Sequence, residues 1–334
     1  MHDAVYFKEL DNGVVECLLC PHHCIIRPES WGKCGARFNQ GGRLYSWYYG
    51  KISALHSDPI EKKPLYHFMP GRQILSVGSY GCNLDCSFCQ NHPISQGAFG
   101  KGDHYSFSPE ELTEKALHIP NNTGIAFTYN EPTVGFEFVL ETARLAKQKG
   151  LNTVLVSNGY INQAPLDGLL DVMDAFNIDL KAFNEGFYRK VTSGSLQPVL
   201  NTIKRIIHRK AHLEITHLVI PGMNDDREDF REMTQWIENE AGKHTPFHLS
   251  RFFPHYRLLL EPTPRVTLKE LYEIAAKQLS FVYPGNITLH EAAAHTWCPQ
   301  CESLVIRREG YSAIIENADE KGCCLVCGTS VFRN

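Results

Sequence analysis

The chain has 334 residues, 43% of them hydrophobic and 21% charged, with a formal net charge of −4. That length suits one main domain with smaller appendages, and the charge offers no basic field for nucleic acid, so no nucleic-acid partner is expected. No uninterrupted apolar run would span a bilayer and the first residues do not read as a secretory leader, so no membrane partner and a cytoplasmic location are expected. Twelve cysteines in a reducing compartment argue for metal ligands over disulfides.

Taken in chain order, the first cysteines are Cys17, Cys20 and Cys24 in CLLCPHHC, followed by Cys34 before Gly35. Four thiols can close a site, and zinc or an auxiliary iron–sulfur cluster fits this spacing equally. His22 or His23 could replace one thiol. Beyond this segment, short β-branched runs alternate with amphipathic ones. Strands are predicted over 73–79, 124–129, 153–157, 176–180, 213–220 and 246–252, a pattern of βα units around a parallel sheet. Three helix starts place a capping side chain three residues before a Glu: Ser108 to Glu111, Asp225 to Glu228 and Thr267 to Glu270. A helix is also predicted over 134–149, ending at Gly150. The expected fold is α/β, a partial (βα)6 TIM-like barrel over 71–285, with an N-terminal Cys-rich module over 1–70 and a zinc-ribbon-like module over 286–334.

Cys82, Cys86 and Cys89 follow the first predicted barrel strand directly, where βα barrels carry their chemistry. If the three thiolates hold three corners of a [4Fe–4S] cluster, the fourth iron is left open to an exogenous ligand, with Phe88 available as a shield. Zinc completed by His92, or plain buried cysteines, is the bland alternative. At the other end, Cys298, Cys301, Cys324 and Cys327 form two CxxC pairs separated by strand-like 304–307 and 312–315, which predicts a structural zinc site. Cys323 is left over.

The run Cys82-Asn83-Leu84-Asp85-Cys86-Ser87-Phe88-Cys89 resembles the CxxxCxxC signature of radical S-adenosylmethionine (SAM) enzymes. The resemblance implies a [4Fe–4S] cluster with SAM chelating its open iron, reductive cleavage of SAM, and a 5′-deoxyadenosyl radical that abstracts hydrogen from substrate. Tyr129-Asn130-Glu131-Pro132 stands where that family has Gly-Gly-Glu-Pro, which implies that Glu131 contacts the SAM amino group and that Asn130 replaces a glycine. Ser157-Asn158-Gly159 is similar to the Thr-Asn-Gly of glycyl-radical activating enzymes and implies a ribose contact. Asp179 and Lys181 match their Asp-x-Lys element for the amino-acid end of SAM. Their Val-Pro-Gly-x-x-Asp-Asp turn is similar to the segment 219–226, and their Pro-Tyr-His region resembles Phe253-Pro254-His255-Tyr256, which places His255 near SAM or substrate.

The N-terminal cysteines, with Gly32-Lys33-Cys34-Gly35, Arg37 and the segment from Asp58 to His67, resemble the AmmeMemoRadiSam-system radical SAM enzymes, relatives of pyruvate formate-lyase activating enzyme. This likeness implies an oxidoreductase-type enzyme with a reductant such as flavodoxin or ferredoxin and Memo-like or AMMECR-like partner proteins. A glycyl-radical activase and a non-catalytic iron–sulfur or zinc scaffold are the competing readings.

Overall fold

The computed structural model describes residues 1–96 and 104–334. Its centre is an eight-stranded sheet of β1 (Ala54–Pro59), β2 (Gln73–Gly78), β3 (Asn122–Phe127), β4 (Asn152–Ser157), β5 (Ala175–Asp179), β6 (His212–Val219), β7 (Phe247–Arg251) and β8 (Val282–Gly285), which lie side by side in chain order. All pairings from β2 to β8 are parallel, and β1 adds an antiparallel edge. The crossovers carry α1 (Pro109–Leu117), α2 (Phe136–Gln148), α3 (Gln163–Leu170), α4 (Leu196–His208), α5 (Arg227–Ala241) and α6 (Arg265–Ala275).

All six predicted strands form, and β8 is a seventh parallel one that the pattern did not announce. Its sequence, VYPG, is four residues long and ends in Pro-Gly, which reads locally as a turn. Two helix starts also move. Ser108 caps α1 through a reciprocal box with Glu111. At α5 the cap is Asp226, which accepts from the amides of Glu228 and Asp229, so the expected box from Asp225 is one residue out. Thr267 lies inside α6, which starts at Arg265 after Pro264. There the rigid φ of proline sets the helix entry in place of a side-chain cap.

Alternation along the strands separates two environments. Leu75, Ile125, Leu155, Phe176 and Ile215 pack into the large core shared with the helices. Ile74, Ala126, Val154 and Ala175 form a separate cluster with Ile60, Leu65 and Phe68. The segment after β1 therefore plugs one end of the inner face. It is fastened there by Glu214, fully buried, which accepts from the amides of Tyr66 and His67 at 2.9 and 2.7 Å. Further along the same parity the inner face turns polar, and there it opens into the cavity described next.

Near the N-terminus, short strands form a four-stranded and a three-stranded sheet. At the other end the two expected strand-like runs form β9 (Leu304–Glu309) and β10 (Ser312–Ile315), which pair antiparallel, with Thr296–Trp297 on the far side of β9. No helix of the described residues is long and apolar enough to cross a membrane.

Candidate active site at the strand ends

A cleft of about 350 Å³, open to solvent, lies over the C-terminal ends of the parallel strands. Its walls include Cys82, Cys86 and Cys89, and also Asn130, Glu131, Ser157, Asn158, Asp179 and Lys181. These positions lie in the loops that leave β2, β3, β4 and β5 or, for Ser157 and Asp179, on the last residue of a strand. Register explains the convergence: Asp179 sits opposite Thr216 of β6, and Leu218 opposite Ser250 of β7, so one parity of each strand reaches the cleft. Thr216 and Ser250 are lining residues that no motif marked. Their alternation with buried Ile215 and Leu249 was the available signal.

Burial pushes the thiols of Cys82, Cys86 and Cys89 up, Cys86 to about 12. As free groups they are protonated at neutral pH, and a bound cation is what would draw out the thiolates. Phe88 is buried in the same wall, and the Lys181 ammonium stands 5.8 Å over its ring. Lys181 also donates to Asp179 at 2.8 Å. Burial opposes the Lys181 charge, but the Asp179 carboxylate and Cys86 together hold its pKa above the ordinary lysine value.

Glu131 is buried and works as a hub. Its Oε1 accepts from the Thr133 amide at 3.1 Å and the Ser157 hydroxyl at 2.8 Å, while Oε2 accepts from the Asn158 amide at 2.8 Å. The carboxylate thus ties the loop after β3 to the loop after β4. Asn158 then reaches Asn83 Oδ1 at 2.9 Å and Cys82 Sγ at 3.7 Å. Asn130 faces the other way. Its Oδ1 accepts from the Ser79 amide at 3.0 Å and its Nδ2 donates to the Gly81 carbonyl at 3.0 Å, so it clamps the start of the cysteine loop. Next to it Tyr129 takes φ of 73°, a conformation that costs a non-glycine residue energy and recurs at functional sites. The Tyr129 hydroxyl is anchored on Asp58 at 2.7 Å, and Asp58 also pairs with buried Lys63 at 2.8 Å.

His255 does not line the cleft. Its ring packs 5.3 Å from that of His92, which stacks on Tyr256 at 4.4 Å. The two histidines form an aromatic group beside the cysteine loop.

Residues 76–237, from β2 into α5, match the radical SAM superfamily. An uncharacterised protein of Methanocaldococcus jannaschii is 41% identical over 334 residues, 99% of each chain. The chain belongs to the radical SAM superfamily. The pyruvate formate-lyase-activating enzyme of Clostridium pasteurianum is 25% identical over 177 residues, 50% of this chain and 72% of that one, a distant relationship. Among solved structures, Streptococcus suis SuiB bound to its precursor peptide SuiA superposes with a TM-score of 0.52 at 14% identity, covering 70% of this chain and 52% of SuiB. A radical SAM methyltransferase from Sphaerobacter thermophilus gives 0.51 at 14% identity, covering 67% and 70%. Likeness at such identities speaks for the fold alone.

The two outer cysteine groups of this radical SAM chain differ in geometry. Cys298, Cys301, Cys324 and Cys327 bring their sulfurs within 4.8 Å of one another, with Cys298 to Cys327 at 3.4 Å and Cys301 to Cys324 at 3.7 Å. Cys323 lies outside that set. Cys17, Cys20, Cys24 and Cys34 are all free thiols, and no three of them reach that mutual distance. His22 is engaged elsewhere, its Nε2 2.7 Å from the Asn83 carbonyl. His23 Nδ1 faces Glu16 at 3.2 Å.

Proposed function

We propose that the chain is an enzyme that holds a [4Fe–4S] cluster on Cys82, Cys86 and Cys89 and binds SAM beside it, in a sheet that we read as a partial barrel. The carrying observation is that three thiols, the Asp179–Lys181 pair and the Glu131–Ser157–Asn158 group all line one cleft at the strand ends. Held by Cys82, Cys86 and Cys89, such a cluster would supply one-electron reductive cleavage of SAM and, through it, hydrogen abstraction from substrate. The donor set fits this pair of cofactors: three thiols on one wall, and on the others hydroxyl, amide and charged groups of both signs. Asp179 and Lys181 present opposite charges to the zwitterionic end of SAM. Ser157 and Asn158, held by Glu131, would hold the ribose. Phe88 covers the thiols from water.

Within the superfamily we read the chain as an AmmeMemoRadiSam-system enzyme, with Memo-like or AMMECR-like proteins as partners and flavodoxin or ferredoxin as reductant. The N-terminal cysteine pattern and the segment from Asp58 to His67 support that reading. The C-terminal sulfurs, at single-ion spacing, support a zinc ribbon. A second reading, activation of a glycyl-radical enzyme, draws on the similarity to the Clostridium pasteurianum enzyme.

The test is to reduce the anaerobically reconstituted protein, add SAM and measure 5′-deoxyadenosine. Product well above a Cys86→Ala control is expected. Equality with that control would leave a non-catalytic metal scaffold as the answer. A glycyl-radical EPR signal on a partner would select the activase reading.

A further inference from the structure

The chain carries its own yardsticks for metal spacing. A tetrahedral zinc with Zn–S bonds near 2.3 Å sets its sulfurs about 3.8 Å apart, and the C-terminal thiols match that at 3.4 and 3.7 Å. The sulfurs of Cys82, Cys86 and Cys89, in the radical SAM motif, do not all lie within 4.8 Å of one another, a wider spacing that suits ligands to separate irons of one cluster. Cys17, Cys20, Cys24 and Cys34 follow the trio. They are gathered, since Cys17 donates its amide to the Cys24 carbonyl at 2.9 Å, and the loop from Cys20 to Cys24 and the loop of Cys34 meet on the same segment, Cys82–Asn83. Yet no three of them close to single-ion distance.

Their loops dock directly on the cysteine loop of the trio. The Cys82 amide donates to the Cys34 carbonyl at 3.2 Å. Gly81, at φ +91°, permits that approach, because a Cβ there would lie 2.6 Å from the same carbonyl oxygen. On the other side His22 contacts the Asn83 carbonyl at 2.7 Å.

We propose that Cys17, Cys20, Cys24 and Cys34 hold a second, polynuclear iron–sulfur cluster that delivers electrons to the cluster on the trio. The inference rests on the function proposed above. A one-electron donor of the iron–sulfur or flavin class is oxidised by one electron and the N-terminal cluster reduced by one. That cluster then returns to its oxidised state as the trio's cluster is reduced, with no proton or bond exchanged.

The protein is reconstituted anaerobically as wild type, as Cys82→Ser/Cys86→Ser/Cys89→Ser and as Cys17→Ser/Cys20→Ser, and iron, sulfide and zinc are counted. The trio variant should keep about four irons and four sulfides per chain with a Mössbauer spectrum of a polynuclear cluster. Zinc without sulfide there overturns the site. Should that variant not fold, the wild-type count decides: about eight irons supports the site, and about four with two zincs overturns it. In the N-terminal variant, reduction of the trio's cluster by reduced ferredoxin, followed by EPR, should slow at least about tenfold while reduction by dithionite is unchanged. Equal slowing or none with both donors overturns the relay. Failure of the SAM-enzyme reading looks different: the trio variant would still hold its cluster, while the wild type would form no 5′-deoxyadenosine.

Discussion

Arg37 donates to Glu137 at 2.6 Å with both side chains sealed from water, 1% and 3% exposed. The pair joins the N-terminal module to α2, and the Val5 backbone closes it, donating to Glu137 at 2.8 Å and accepting from Arg37 at 2.7 Å. Removing one partner leaves an uncompensated buried charge, so Glu137→Ala should cost about 3–5 kcal/mol in chemical unfolding. Replacing both by apolar residues of similar volume should cost less. If Glu137→Ala unfolds at the wild-type denaturant midpoint, the pair is not a strut.

Asn130 clamps the start of the cysteine loop through its two hydrogen bonds to Ser79 and Gly81. Each is worth about 0.5–1.5 kcal/mol. Asn130→Gly should therefore loosen the cysteine loop, weakening SAM binding by roughly five- to a hundredfold and lowering iron retained after gel filtration. Unchanged SAM affinity and iron content would show that the clamp has no functional weight.

Much of this was legible from local pattern. Six of the parallel strands announce themselves by β-branched runs, and the trio, Glu131, Ser157, Asn158, Asp179 and Lys181 sit at successive strand ends. What local pattern misses is set by long-range register. Thr216 and Ser250 reach the cleft only because β6 and β7 pair in phase with β5. His255 sits in a loop where Tyr256 takes φ of 58°, and the local bend turns its ring onto His92. Sequence spacing of the N-terminal cysteines is silent on metal type, because the distance between their sulfurs depends on how the loop from Cys17 to Cys24 meets Cys34.

Cys298 and Cys324 share a hydrophobic cluster with Tyr66, Phe281 and Tyr283 of the main body, and Cys301 packs against it. Metal there should contribute folding free energy to the tail and, through that cluster, to the sheet end. Cys324→Ser should release one metal ion per chain and make the tail cleavable by protease in native buffer. The thermal midpoint should fall by several degrees. A variant that stays protease-resistant after metal loss would show that the tail folds on its own apolar contacts.

Stability should fall in mild acid, and His67 is the sharpest place to test it. Its Nδ1 lies 2.6 Å from the Val331 carbonyl and its Nε2 2.5 Å from the Tyr283 hydroxyl, so the neutral ring donates to the first and accepts from the second. Burial pushes its pKa down to about 3, and burial takes His217 down to about 4. In the unfolded chain a histidine titrates near 6.5. Between those values the unfolded state binds protons that the folded state refuses, so stability rises with pH across the window. It is fully present above about pH 6.5 and is lost as pH falls through the folded values. Glu214 acts in the same direction at lower pH: burial opposes its charge, but His212 and His248 donate to it and hold its pKa well below the usual carboxylate range. Urea unfolding of wild type and His67→Gln from roughly pH 4.5 to 7.5 separates these contributions, because acid effects on the metal sites are common to both proteins. The variant should show a shallower slope by about one proton below roughly pH 6.5. Parallel curves would mean that His67 is protonated in the folded protein, and that its bond to Tyr283 has the opposite polarity.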